Sequence, residues 1–346
     1  MKRGVIVLAL IFLLAIPAHG MEFAAPEAPE EALEYLPEDT ENFGKGLWHI
    51  IRAGIAAVKP EIAEASGVCF CLIAASLMTG VLIEIAGNVK PMVELTACTI
   101  TAIILFQPMN SLINLGAETV REVSQYGELL LPVMTGAMAA QGGVAKSGAL
   151  YAATAAFNAV LSGAISSLLI PLVYIFLALA IAGNLFPQTI LKEILKFLKW
   201  LITWLLKTIL YVFTGYISIT GVVGGATDAT VLKATKLTIS GMVPLVGNIL
   251  SDASEAVLVS AGLMKNAAGI YGLLTVTAIW IGPFLKIGIQ YMILKTASGI
   301  CGIFGTKRMS ELINDFSGAM GLMLAMTGAV SMIFVISTIC FMKGVN

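Results

Sequence analysis

From Ser147 to Phe186 the chain runs for forty residues without a charged side chain. A water-soluble domain has to present charge on any surface helix, so an uninterrupted run of this length selects lipid as the solvent. It does not stand alone. Candidate spans fall at 67–87, 92–113, 161–185 (within this run), 208–225, 237–263, 267–285, 287–304 and 318–342. Charged residues make up 12% of the 346, against about 25% in a soluble domain, and 58% are apolar. The runs do not alternate apolar and polar in blocks of about ten, which argues against barrel strands. The expected fold is all-α: a polytopic transmembrane helical bundle of about seven or eight spans, with amphipathic helices at the interface.

The N-terminus reads as a targeting signal. Lys2 and Arg3 precede an apolar stretch, Val5–Ile16, then Pro17 and the small residues Ala18 and Gly20, so 1–20 is expected to be a cleaved signal peptide. Residues 21–44 hold eight acidic groups, no basic one and three prolines, which suits a flexible extracytoplasmic lead. Residues 45–64 place Leu47, Ile50, Ile51, Ile55 and Val58 at helical spacing beside Trp48, the pattern of an interfacial helix with an aromatic anchor. Residues 65–346 form the membrane domain.

Orientation follows from the lysines. With the mature N-terminus outside, span 67–87 brings Lys90 inside and 92–113 returns. A single crossing at 161–185, with 147–160 packed at the interface or against other helices, then puts 192–207 in the cytoplasm. If 237–263 also crosses, Lys265 and Lys307–Arg308 are cytoplasmic and the C-terminus is outside; if it is re-entrant, the C-terminus is inside. We adopt the first. The segment 192–207 carries Lys192, Lys196, Lys199 and Lys207 on one helical face, with Phe197, Trp200 and Trp204 on the remainder. Two readings are open: a helix lying among anionic headgroups, and a docking surface for a cytoplasmic partner.

Raw material for catalysis is scarce. Beyond the signal sequence His49 is the only histidine, so a serine triad or a His-based metal centre lacks its parts. No Gly-rich stretch ends in Lys-Ser or Lys-Thr, so the chain has no phosphate loop. The five cysteines lie in apolar stretches, as buried free thiols do. Four scattered arginines and a net charge of −1 exclude a nucleic-acid surface. We expect no catalytic, cofactor or metal site and no enzyme activity. Charges within spans are costly and often functional. Glu84 and Glu94 flank the Gly87–Pro91 turn, and Lys295 needs a partner or an aqueous face. The densest polar stretch is 221–255, where Gly224-Gly225 loosen one helix and Pro244 breaks the next. Asp228, Lys233, Lys236, Pro244, Asp252 and Glu255 are its candidate functional residues, in a pore-lining element or in an extracytoplasmic loop with a packed hairpin.

The run Gly224-Gly225-Ala226-Thr227-Asp228, then Val243-Pro244-Leu245-Val246-Gly247, Leu250-Ser251-Asp252-Ala253 and Lys265-Asn266-Ala267-Ala268-Gly269, resembles the stage III sporulation protein AE family. The resemblance covers most of the chain and is strongest from about 190 onward. It implies a multispanning protein of the mother-cell membrane around the forespore, within a secretion-like apparatus. The implied partners are other stage III A-operon proteins, including a cytoplasmic ATPase and ring-forming proteins, and indirectly the forespore stage II protein Q. The expected role is an export gate or platform of that channel. A self-contained secondary transporter and a structural membrane scaffold are the alternatives.

Overall fold

A computed structural model describes residues 25–37, 42–140, 144–186, 189–219 and 267–343. The described residues are helical, without strands: α1 (Glu30–Leu33), α2 (Phe43–Ala57), α3 (Lys59–Ile85), α4 (Lys90–Ala140), α5 (Val144–Ala164), α6 (Ile170–Leu185), α7 (Thr189–Ile219), α8 (Ala267–Phe304) and α9 (Lys307–Lys343). Among them six helical stretches are long and apolar enough to cross a membrane. The expected all-α membrane bundle is what forms. The signal sequence and all six candidate residues of 221–255 lie outside the described residues.

The core is the α8–α9 hairpin. Only Gly305 and Thr306 separate the two helices, so they must run antiparallel. Thr306 caps α9 by accepting from Met309 N–H at 3.2 Å, satisfying one of the orphan donors of the first turn. α9 is buried along most of its length by Phe316, Met320, Met323, Phe334 and their neighbours. α4 packs parallel to it, with Glu94 beside Arg308 at one end and Gly127 against Phe334 towards the other. α3 lies along the last half of α8, where Ser76 Oγ donates to the Cys301 carbonyl at 3.3 Å.

Several helices are longer than the apolar runs suggest. The runs 267–285 and 287–304 belong to one helix, α8, so Ala267 and Lys307 lie at opposite ends of the bundle. The expectation that Lys265 and Lys307 share a side rested on a break at Lys286. The structure instead neutralises that lysine with Glu61 of α3 at 2.8 Å, and no turn is needed. α4 continues far beyond 113 and through Pro108 and Pro132. A proline forfeits one helix hydrogen bond, which packing against neighbouring helices can offset. α7 joins the lysine segment to run 208–225 without interruption as far as Ile219.

Two segments expected at the surface are instead covered. The apolar face of α2, including Leu47 and Ile50, is buried against α8, while Trp48 stays exposed. α2 is therefore a bundle helix. Of the acidic lead, residues 25–37 lie on the bundle: Ala32 is fully buried, Tyr35 reaches Gly282, and Tyr126 O–H donates to the Pro26 carbonyl at 3.4 Å. Alone this segment has too little apolar surface to order, but a ready-made groove supplies the other half of the contact. Residues 147–160 pack against other helices, as expected: Ser124 donates to Asn158 at 3.2 Å, and Thr154 and Ser337 share a 2.8 Å hydrogen bond. A π turn at Ile165–Leu169 joins α5 to α6.

Candidate functional site at the charged end of the bundle

The ends of α3, α6 and α8 and the starts of α4, α7 and α9 meet at one end of the bundle. All but α6, which brings Asn184, carry charge there, and the first three turns of α9 gather it. Arg308 Nε lies 3.3 Å from Glu94 of α4. Glu311 takes the ammonium of Lys192 from α7, and Lys307 stands 3.9 Å from its other oxygen. Asn314 accepts from Lys295 of α8 at 2.6 Å. Asp315 accepts from Asn184 Nδ2 of α6 at 3.1 Å. Lys199 of α7 points at the same helix, its Nζ 3.6 Å from where a side chain would begin at Gly318.

The spacing on α9 explains the reach. Residues 308, 311 and 315 lie on adjoining strips of a 3.6-residue helix, and 314 sits one strip round, so one helix can address α4, α7, α6 and α8 separately. Arg308, Glu94 and Glu311 are each about one-third exposed at the side chain. Such pairs contribute more than a fully solvated one, which is worth about 0–1 kcal/mol, while removing one partner strands a half-buried charge. Asn184 is buried. Its Nδ2 also donates to the Ala180 carbonyl at 2.8 Å, and its Oδ1 accepts from none of the described residues.

The four lysines of 192–207 divide. Lys192 and Lys199 face α9. Lys196 is exposed and pairs with Glu193 at 2.7 Å. Lys207 is half-buried two turns beyond Lys199. The outward face of α7 is aromatic, with Trp200 and Trp204 stacked at 6.0 Å and Phe197 at 5.8 Å from Trp200. The four lysines therefore do not form one outward stripe, since two of them turn to α9. Lys295 finds its partner in Asn314, Glu94 finds Arg308, and Glu84 remains exposed. Glu311, Asn314, Asp315 and Asn184 were not singled out from sequence. The signal was there: two carboxylates and an amide within five residues, at the start of a long apolar run.

The arrangement joins helices rather than holding a ligand. Among the described residues no group of three His, Cys, Asp or Glu side chains converges as a metal site would, and His49 lies on α2, away from this end. What a cross-helix ion-pair network can do is fix how helices sit against one another and pass a displacement of one to the next.

Fold and site together define a multi-pass α-helical membrane protein with a cross-helix network of charges at one end of its bundle. A sequence profile for stage III sporulation protein AE matches residues 40–344, and the chain belongs to that family. Stage III sporulation protein AE of Bacillus subtilis (strain 168) is 25% identical over 226 residues, which cover 65% of this chain and 56% of that protein. The match therefore spans little more than half of the relative's length. No solved structure matches.

Proposed function

We propose that this protein is a membrane-embedded gate or platform of a secretion-like channel between mother cell and forespore. The family supports the sporulation context. The observation that carries the mechanical part is the network on α9, which ties the lysine-bearing helix α7 to the bundle core through Lys192 and Glu311. Lys90, Lys192, Lys196, Lys307 and Arg308 share one end, and the positive-inside rule supports reading that end as cytoplasmic. There the exposed Lys196 of α7 is available to a cytoplasmic ATPase, and a push on α7 reaches α9 directly. Ring-forming proteins encoded alongside it would meet the opposite end, and the forespore's stage II protein Q would be reached through them.

The test is genetic and biochemical. Deleting the gene is expected to stop sporulation after engulfment, and Lys196→Glu is expected to reduce co-purification of the ATPase from sporulating cells. Normal spore yield in the deletion strain would overturn the proposal. Solute flux through the purified protein in liposomes, without partners, would replace it with a self-contained transporter.

A further inference from the structure

One stripe of α4 changes chemistry halfway along. Going from the charged end, its large exposed apolar residues at helical spacing are Met92, Leu95, Ile100, Ile103 and Phe106, with Thr96 and Gln107 beside them. The same stripe continues as Asn110, Asn114, Glu118, Arg121, Gln125 and Glu128, all exposed. Pro108 lies at the change but the helix runs on through it, so the switch in exposed chemistry reflects the surroundings. From Lys90 to Asn110 is twenty residues, about 30 Å at 1.5 Å per residue, the thickness of a hydrocarbon core.

α3 repeats the pattern in the opposite direction. Lys59 and Glu64 are exposed at its start, followed by Phe70, Met78 and Ile85, up to the exposed Glu84. Glu64 to Glu84 is again twenty residues, about 30 Å. The two transitions lie at one level. Glu61 pairs with Lys286 of α8 at 2.8 Å, and the next residue, Ile287, approaches Gly116 of α4, 3.3 Å from where its side chain would begin. Tyr174 O–H of α6 donates to Asn110 at 2.8 Å and approaches Asn114 at 3.3 Å, close to the same transition.

Helix length points the same way. α8 has 38 residues and α9 has 37, each about 55 Å long, and even a tilt of about 40° leaves such helices spanning about 42 Å, well over the hydrocarbon core's thickness. Beyond the transition, α8 between Ala268 and Tyr291 has no exposed residue, being wrapped by protein.

We infer that the bilayer surrounds only the half of the bundle between the charged end and the plane through Glu61, Lys286 and Asn114. The acyl chains lie against α3 and the first half of α4, and the second half of α4, with α1 and α2, stands in water. Lys196 falls about one turn beyond Lys192, and its long stem lets the ammonium group reach the headgroups, while Lys199 turns to α9. This rests on the multi-pass reading and is independent of any role in sporulation.

The test uses the full chain in liposomes, in a Cys71→Ser background, since Cys98, Cys301 and Cys340 are buried and Cys69 half-buried. A spin label at Ile103→Cys should collide with dissolved oxygen, and one at Gln125→Cys with a water-soluble nickel complex. Both positions are exposed, so neither substitution disturbs packing. Oxygen-dominated collisions at both positions, or nickel-dominated collisions at both, would overturn the inference. Without any labelling, brominated acyl chains should quench emission of a variant that keeps Trp204 alone and spare one that keeps Trp48 alone; equal quenching would overturn it too.

Discussion

Arg308 and Glu94 stand at the starts of the two parallel helices α9 and α4, 3.3 Å apart and each about one-third exposed at the side chain. They fix the register of these helices at the charged end. Arg308→Met leaves Glu94 beside the bilayer without its counter-charge. A loss of about 1–3 kcal/mol is expected, below the cost for a fully buried pair because water still reaches both groups. Adding Glu94→Gln should recover most of the loss, since a neutral pair has no stranded charge. Thermal unfolding of the three variants in detergent checks this.

Further along the same interface Gly127 lies directly under the Phe334 ring, and a side chain there would enter the ring. Small residues at such crossings let membrane helices approach closely. Gly127→Leu is expected to lower stability by about 1–3 kcal/mol through overpacking. Phe334→Ala is expected to restore part of it in the double variant, although it is destabilising alone. A double-mutant cycle by thermal unfolding reads the coupling.

The docked lead gives a protease test. Glu30, Glu31 and Glu34 flank the buried Ala32 on and beside α1. A glutamyl endopeptidase should cut there slowly in the native protein, because the segment must first detach. Ala32→Trp cannot fit that site, and cleavage is expected to accelerate by about tenfold or more, as for a detachment free energy lowered by about 1.4 kcal/mol.

Much of the fold was legible in sequence because lipid demands long apolar runs and internally satisfied backbones, and both leave marks in composition. Helix continuity was less so. Lys286 looks like a boundary until Glu61 is known to face it, and Pro108 and Pro132 look like breaks until their neighbours are in place. The acidic lead misled for a related reason: composition reports what a segment can do alone, whereas residues 25–37 order on a surface made by α4 and α8. At the site, periodicity put Lys192, Lys196 and Lys199 on one face of one helix. It could not say that α9 lies opposite two of them, since a helical pattern carries no information about the neighbouring helix. The polar stretch around Asp228 and Asp252, prominent in sequence and in the family resemblance, lies outside the described residues and stands as an expectation.

The coupling of α7 to α9 through Lys192 and Glu311 is tested most directly by exchanging their charges in sporulating cells. Lys192→Glu and Glu311→Lys are each expected to lower the heat-resistant spore count by about tenfold or more, and the double exchange to return most of the yield, because a reversed pair in contact retains its attraction. Protein levels in the membrane fraction serve as the control. A double exchange as defective as the single variants, at equal protein level, would contradict the account.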